Sequence, residues 1–383
     1  MRKELHMKKK LIAMILMTSL AAASFAGCGS TGKEEASSTP AGQTTSSSAA
    51  ESGDTDSAAA EVSGDITDPA GIPKGDWVIG FSNYTVNNSW KQQMEAEFRQ
   101  AADQMKENGQ ISDYVMLNAD GDQTKQIADI NDLITMGVDA ICVTAITADA
   151  LNDILAEAVE EGIVVIAFDN LASTDEVTSK ITQSDYDYGY TCGTFIGEQL
   201  PDGGNVIVLD GAAGTDTSEN RHNGMVDGLK EKSPKAEVVA AVNADWDYAT
   251  AKSAIEDLLS SYPQIDAVLS QGGAMSQAAI DAFSGAGRDL VPMTGEAVNG
   301  YLRAWKESGI DSIAFTSPTY MSADALTLAV RALNGESIPE EMPLSTPTVT
   351  NGNLDEYYRP DLSDNFWTVT KLTDENAKAL FAE

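Results

Sequence analysis

Short apolar runs alternate along most of this chain with segments whose apolar residues recur every three or four positions. The runs are residues 77–81, 114–117, 140–143, 163–168, 206–209, 238–239, 267–269 and 290–291. Near-continuous apolar runs predict strands that are buried on both faces, and the spacing of three or four predicts helices between them. Strands that alternate with helices form parallel sheets covered by helices, so the pattern predicts an α/β fold.

The number of strands predicts two sheets rather than one. A single sheet of about ten strands would be unusually wide. The region from residue 76 to residue 383 is also long enough for two domains of about 100–200 residues each. We therefore expect two successive Rossmann-like lobes, each with its own parallel sheet.

Cys28 ends an apolar stretch of about 17 residues that follows a basic stretch at residues 8–10. This order predicts a secretory signal peptide over residues 1–27. The sequence Phe-Ala-Gly-Cys at 25–28 resembles the lipobox of bacterial lipoproteins, although that family usually has Leu where Phe25 stands. The resemblance implies that Cys28 is the lipidated N-terminus, anchored to the outer face of the cell membrane. A transmembrane helix is the alternative, because spans need about 17–25 apolar residues.

Residues 28–75 are mostly small, polar or acidic, which predicts a disordered linker. The formal net charge of the chain is −35. Residues 1–27 carry five basic groups and one acidic group, a net charge of +4, which leaves −39 for the rest. So acidic a surface argues against nucleic acid and anionic lipid as partners.

Two further cysteines follow Cys28. Cys142 lies in an apolar run and Cys192 in a predicted helix. We interpret both as buried free thiols, with a disulfide between them as the alternative.

Polar and aromatic side chains follow the predicted strands. In parallel sheets, ligands bind beyond the carboxyl ends of the strands. Carboxylates and amides there can bind hydroxyl groups, and indole rings can cover the apolar face of a sugar. The candidate residues are Asn88, Trp90, Asp169, Asn170, Arg221, Trp246 and Glu296.

The same residue types also have structural uses. Asn88 could cap a helix, Asp169 could close a loop, and Trp246 could belong to the core. As a set, the candidates favour a polyhydroxylated ligand.

Several stretches together resemble the periplasmic sugar-binding proteins of the ribose and galactose type, the solute receptors of ABC importers. The stretches are residues 79–83 with 88–90, 137–141, 165–169, and 209–215 with 221–224, and the likeness covers about residues 76–345. The resemblance implies a type I periplasmic binding protein, in which a three-strand hinge joins the lobes and closes them over a sugar. It also implies a monomer without cofactor or enzymatic activity that docks on permease subunits.

Individual roles follow from the matching positions. By resemblance, Asn88 binds a ring hydroxyl, Trp90 and Trp246 stack on the sugar, Asp169 binds hydroxyl groups, and Arg221 reaches in from the second lobe.

Four other positions depart from the ribose type. Glu296 stands where the family has Asp, which keeps the carboxylate on a longer arm. Asn170 replaces Arg, Gly272 replaces Asn and Ser317 replaces Gln. We include Asn170, Glu296 and Ser317 in the expected ligand site, but the replacements argue against ribose itself.

The family pattern places the crossings between lobes near residues 183–184, 316–317 and 345–350. The N-terminal lobe is then 76–183 plus 317–345, and the C-terminal lobe is 184–316 plus 346–383. The aromatic tail beyond Asp355 is expected to pack on the lobes, because its rings need burial.

Other functions find less support. The sequence contains no Gly-x-Ser-x-Gly elbow, no Gly-x4-Gly-Lys-Ser/Thr loop and no His-x3-His pair, so an enzyme is disfavoured. Residues 118–122 space oxygens as a calcium loop does, but Gln123 stands where that loop has Gly and Asp129 stands where it has Glu, which favours a turn into a helix. A transcription regulator would need a basic N-terminal DNA-reading segment. This chain has a predicted signal peptide and an acidic linker there, which excludes that function. The open alternatives are a receptor for a nucleoside or a furanone signal, and a sugar sensor without transport.

Overall fold

The computed structural model describes residues 65–344 and 346–382. The predicted signal peptide, Cys28 and most of the predicted linker lie outside the described residues, as does Ser345 in the third predicted crossing. Within the described ranges, no helix is both long enough and apolar enough to cross a membrane.

The described chain contains two six-stranded sheets. Their strands are β1 (Val78–Asn83), β2 (Asp113–Asn118), β3 (Ala140–Val143), β4 (Val164–Phe168), β5 (Ser179–Thr182), β6 (Asn205–Asp210), β7 (Glu237–Asn243), β8 (Ala267–Ser270), β9 (Met293–Glu296), β10 (Ser312–Phe315), β11 (Glu341–Pro343) and β12 (Val349–Thr350). The first sheet has the order β2-β1-β3-β4-β5-β11 and the second the order β7-β6-β8-β9-β10-β12. All pairings are parallel except that of β12 with β10.

Helices connect the strands. They are α1 (Ser89–Glu107), α2 (Gln123–Met136), α3 (Asn152–Glu160), α4 (Asp185–Gln199), α5 (Asp216–Lys232), α6 (Tyr248–Ser261), α7 (Gly273–Gly285), α8 (Asn299–Ser308), α9 (Met321–Leu333), α10 (Leu354–Tyr357) and α11 (Asp374–Phe381). Asn88, Asp122 and Ser184 each cap one of them by accepting a backbone N–H.

Each sheet is buried on both faces. In β3, Ala140 and Cys142 join one hydrophobic core, whereas Ile141 and Val143 join another, as the alternation of side chains along a strand requires. Two α/β lobes with parallel sheets are therefore confirmed. The strand order reverses at β1 and β3 in one lobe and at β6 and β8 in the other, where such sheets form ligand crevices.

The chain passes between the sheets in three places. These are residues 183–184 after β5, 316–320 between β10 and α9, and 344–348 between β11 and β12. The residue boundaries of the lobes stay a prediction, with two corrections that concern the linker and the tail.

The first correction concerns the linker, because residues 65–75 are packed rather than free. Ile72 is buried in the core of the first lobe. Arg331 donates from Nη2 to the carbonyl oxygen of Asp68 at 2.7 Å, and Gln110 donates from Nε2 to that of Pro69 at 3.1 Å. The composition of this stretch is that of a linker, but Ile72 and these backbone carbonyl groups hold it against the first lobe.

The second correction concerns the tail. Leu362, Phe366 and Phe381 are buried, as predicted, in a small core of the tail's own. Residues 367–376, however, bind helix α1 of the N-terminal lobe. Assigning all of 346–383 to the C-terminal lobe is therefore wrong.

A strand at 290–291 is also wrong, because the strand is β9 at Met293–Glu296. Its sequence, Met-Thr-Gly-Glu, is fully buried yet mostly polar or small, so no apolar run marks it. The cysteines agree with the first interpretation, since both Cys142 and Cys192 are free and buried. Burial raises the pKa of the Cys192 thiol to about 12, which keeps it protonated.

Helices α4 and α5 approach each other through glycines. A Cβ atom on Gly189 would lie 2.0 Å from the carbonyl oxygen of Arg221, and one on Gly193 would lie 2.0 Å from that of Met225. Real Cβ atoms do not come so close to backbone oxygen. The glycines therefore set the distance between the helices, and with it the position of Arg221.

We expect Gly193→Ala to lower the free energy of unfolding by about 3 kcal/mol, because its Cβ would force the two backbones apart. Gly285→Ala at the end of α7 is the matched control. A Cβ there meets no atom within 4 Å. Urea denaturation of both variants measures the difference. Equal stabilities would contradict the close contact.

Candidate functional site

Lys91 lies at the base of the site in the N-terminal lobe. It is 3% exposed and forms an ion pair with Asp169, which follows β4. Thr144, which follows β3, bridges the two: its hydroxyl donates to Asp169 Oδ2 at 2.9 Å and lies 3.3 Å from Lys91 Nζ. Burial lowers the pKa of Lys91, and the charge of Asp169 only partly offsets that effect.

Two aromatic rings flank this ion pair. The ammonium of Lys91 lies 4.2 Å from the ring centre of Tyr84 and 5.2 Å from that of Trp90. Asp169 itself has a φ of +58°, in the left-handed region that L-residues seldom adopt. The carboxylate, the cation and the rings thus lie together beyond the carboxyl ends of β1, β3 and β4.

Arg221 organises the opposite half, in the C-terminal lobe. It is 6% exposed, and its Nε donates to Asp185 Oδ1 at 2.8 Å. Its Nη1 donates to Glu296 Oε1 at 2.7 Å and to the carbonyl oxygen of Gln271 at 3.1 Å. Burial disfavours the charged guanidinium, but the charges of Glu296 and Asp185 outweigh burial and raise the pKa of Arg221.

The close contact of α4 and α5 positions this cluster. Asp185 and Tyr188 lie on α4, and Arg221 lies on α5. The guanidinium of Arg221 sits 4.3 Å from the ring centre of Tyr188, whose hydroxyl donates to the Gln271 carbonyl at 3.1 Å. Arg221 therefore has a fixed orientation.

Ser317, in the second crossing, joins the two halves. Its hydroxyl donates to Glu296 Oε1 at 2.8 Å, and its carbonyl oxygen accepts from Trp90 Nε1 at 3.0 Å. The predicted site residues Trp90, Ser317, Glu296 and Arg221 thus form one continuous hydrogen-bonded chain across both lobes.

Trp246 occupies the space left by two glycines. Its ring would come within 2.1 Å of a Cβ on Gly211 and within 2.8 Å of one on Gly272. Gly272, which departs from the Asn of the ribose type, therefore makes room for the indole. Trp246 has a φ of +54°, and within the described ranges its buried Nε1 has no hydrogen-bond partner.

Asn88 and Asn170 are less central. Asn88 is exposed and caps α1, with Oδ1 accepting from Lys91 N–H at 2.9 Å, so its amide is engaged in the structural role considered above. Asn170 is half-buried beside Asp169, and its carbonyl oxygen accepts from the Ala145 N–H at 2.8 Å.

Sequence reasoning missed Lys91, Asp185 and Gln271. The order Trp90-Lys91 places a lysine on the buried side of an amphipathic helix, and that was an available signal. Asp185 and Gln271 lie directly after a crossing and a strand, but only the fold shows that both contact Arg221.

His222 lies on helix α5. Its Nδ1 lies 3.0 Å from both carboxylate oxygens of Asp210, and this hydrogen bond raises the pKa of His222. Asp122 likewise has a structural role, since it caps α2 by accepting from the Lys125 N–H at 3.1 Å.

The site suits a ligand rich in hydroxyl groups. Asp169, Asp185 and Glu296 each use one carboxylate oxygen in the contacts above. Within the described part of the chain, no donor reaches their second oxygens. The second oxygens can accept from hydroxyl groups, which bind well to carboxylates. A separate cavity of about 550 Å³ lies between residues 67–74, α1 and α9, and none of the predicted ligand residues lines it.

Comparison with known proteins agrees with this architecture. The family model described as "Periplasmic binding protein domain" matches residues 79–337. The xylitol-binding protein of Mycolicibacterium smegmatis is 27% identical over 70% of this chain and 77% of its own length. The ribose import binding protein of Bacillus subtilis is 24% identical over 69% of this chain and 84% of its own.

A solved structure supports the same fold. The ABC transporter solute binding protein from Thermobispora bispora superposes with a TM-score of 0.68 and 27% identity. The superposition covers 79% of this chain and 94% of that one.

We expect Lys91→Met to lower the free energy of unfolding by about 3 kcal/mol, because it leaves the Asp169 carboxylate without its cation. The double variant Lys91→Met/Asp169→Asn should recover part of this loss, since the unpaired charge is then absent. A double-mutant cycle by urea denaturation measures the coupling. Strictly additive losses would contradict the ion pair.

Proposed function

The chain belongs to the periplasmic binding protein family, and on that basis we propose that it captures a monosaccharide or small polyol and delivers it to an ABC import permease. The observation that carries this proposal is the hydrogen-bonded chain from Trp90 through Ser317 and Glu296 to Arg221. This chain runs between two half-sites, each at the carboxyl ends of the strands of its own sheet. The N-terminal half-site contains Lys91 and Asp169, and the C-terminal half-site contains Asp185, Arg221 and Glu296. A ligand between the half-sites would contact both lobes.

Binding would favour a closed state. A ligand shifts an equilibrium between conformations by its differential affinity for them, and only a closed state offers Asp169 and Arg221 to one molecule at once. Closure would turn about the three crossings, as hinge motions do. The closed form would then be the one that docks on the permease.

The charges of the site favour an uncharged ligand. Lys91 and Asp169 neutralise each other, and Arg221 faces both Asp185 and Glu296, so these five groups sum to −1. An anionic sugar would add a like charge to a largely buried site. We therefore propose a neutral pentose, hexose or polyol, with Trp90 and Trp246 available for stacking on its C–H face.

We propose no enzymatic activity. Each of the three site carboxylates is engaged in an ion pair with Lys91 or Arg221, which favours binding over catalysis. A nucleoside ligand is the alternative that the titration below includes.

We also propose a location at the outer face of the cytoplasmic membrane. Cys28 would carry the lipid that holds the protein outside the cytoplasmic membrane, and the folded part would act as a monomer. The lobes would divide near residues 183–184, 316–320 and 344–348.

Isothermal titration against D-ribose, D-xylose, D-fructose, xylitol, myo-inositol, D-galacturonate and adenosine tests the ligand class. We expect binding near micromolar, roughly −8 kcal/mol, for a neutral sugar or polyol, and none for D-galacturonate. Heat from adenosine alone would favour the nucleoside alternative. No heat from any of them would contradict the proposal.

Asp169→Ala and Trp90→Ala should each weaken the binding of that ligand at least about hundredfold, because each removes a main contact of the N-terminal half-site. Asp113→Ala is the control. This surface carboxylate lies at the opposite end of its sheet and pairs with Lys106. Unchanged affinity in both site variants would remove the site assignment.

Cys28→Ala should abolish the incorporation of labelled palmitate into the full-length protein in cells that process lipoproteins, because one residue carries the anchor. Radiolabelling measures this, with Cys192→Ala as a control that leaves the anchor intact. Incorporation of label into Cys28→Ala would contradict lipidation at this residue.

A further inference from the structure

Helix α1 has a buried polar stripe on the face that meets the C-terminal tail. Gln93 and Glu97 are 0% and 1% exposed, and Gln100 is half-buried. The spacing of four and three residues places the three side chains on one face of the helix. Buried polar side chains need hydrogen-bond partners, and tail residues supply many of them.

Gln93 and Gln100 bind the tail backbone in the same manner. Gln93 Nε2 donates to the carbonyl oxygen of Trp367 at 2.9 Å, and its Oε1 accepts from the Trp367 N–H at 2.9 Å. Gln100 Nε2 donates to the carbonyl oxygen of Lys371 at 2.8 Å, and its Oε1 accepts from the Thr373 N–H at 2.8 Å. Only Gln93 is close to the ligand site.

Trp367 also reaches the first residue of α1. Its indole Nε1 donates to Ser89 Oγ at 3.1 Å. Ser89 and Gln93 flank Trp90 and Lys91 in the first turns of the helix. The tail thus fixes the turn that carries both N-terminal site residues.

The same short segment holds the other lobe. The N–H and hydroxyl of Thr368 both donate to the carbonyl oxygen of Ala297, at 3.4 and 3.1 Å. Val298 and Trp367 form an antiparallel bridge, and the Asn299 N–H donates to the carbonyl oxygen of Phe366 at 2.8 Å. Ala297 directly follows Glu296.

We propose that Trp367 and Thr368 are positioning residues of the ligand site, which hold the Trp90 turn of α1 in register with the Glu296 end of β9. Trp367 binds α1 of the N-terminal lobe, and the adjacent Thr368 binds Ala297 of the C-terminal lobe. A displacement of one half-site therefore displaces the other. The segment lies beyond residues 79–337, which the family model covers. This inference rests on the proposed function, because it takes Trp90 and Glu296 as ligand contacts.

Gln93→Met and Gln100→Met test the inference as a matched pair. Both variants replace the same residue type on one face of one helix and release the same tail. Gln93 also donates to Thr319 Oγ1 at 3.0 Å, and Trp367→Phe leaves that bond intact. Gln93→Met should weaken the binding of the tightest ligand among D-ribose, D-fructose, xylitol and myo-inositol about tenfold. Gln100→Met should change it less than about twofold, although both variants lose stability. Equal affinities in all three proteins, or equal weakening in both variants, would overturn the inference.

Hydrogen exchange supplies a readout that needs no ligand. In Gln93→Met, the amides of residues 297–299 should exchange faster, although Gln93 does not touch them, because the release of Trp367 loosens Thr368 and Phe366. In Gln100→Met they should exchange as in the wild type. Unchanged exchange in Gln93→Met would also overturn the inference. Trp367→Phe, which keeps an aromatic ring but removes the indole N–H bond to Ser89, gives a milder variant should Gln93→Met fail to fold.

The two proposals fail differently. If the wild type binds none of the four probes, the proposed ligand class is wrong, while hydrogen exchange still decides whether the tail couples the lobes. If the wild type binds and Trp90→Ala does not, but Gln93→Met binds normally, the positioning role alone is wrong.

Discussion

The contact of α4 with α5 is the constraint on which the C-terminal half-site depends. Glycines let the two backbones approach to a distance that no larger residue permits, and Asp185, Tyr188 and Arg221 lie along this contact. The cost of burying a guanidinium falls when its partners are already in place. Here one helix supplies a carboxylate and a ring, and β9 supplies Glu296. Arg221 is thereby charged, buried and fixed before any ligand arrives.

Ser317 fixes the position of Trp90 relative to Glu296, between the lobes. A residue in a crossing moves least when hinged lobes turn, so a hydrogen bond to it can persist in both states. Ser317 contacts Trp90 with its carbonyl oxygen and Glu296 with its hydroxyl. A glutamine at this position would project further between the two. The serine therefore shortens the connection and leaves more space beyond it, which is consistent with a ligand other than ribose.

The sequence predicts the fold well because burial on both faces of a sheet leaves apolar runs that are easy to find. It fails where buried strands are polar. In strand β9, the Thr294 hydroxyl bonds the Ser270 backbone, Gly295 packs against Ser276, and Glu296 binds Arg221, so no apolar run marks the strand and the pattern placed it at 290–291. The candidate ligand site divides in the same way. Trp90, Asp169, Arg221, Glu296 and Ser317 follow from strand ends and family positions, whereas Asp185 emerges only from its contact with the distant Arg221.

The tail shows why composition alone cannot define the limits of a domain. Gln93, Glu97 and Gln100 lie beside the apolar positions of α1, and their polarity alone predicts a solvated face. Their burial costs free energy unless each finds a partner, and a backbone segment with unpaired N–H and C=O groups is the partner that glutamine fits best. The polar stripe and the tail therefore require each other. Because the stripe begins at the turn that carries Trp90, that requirement links the tail to the proposed ligand site.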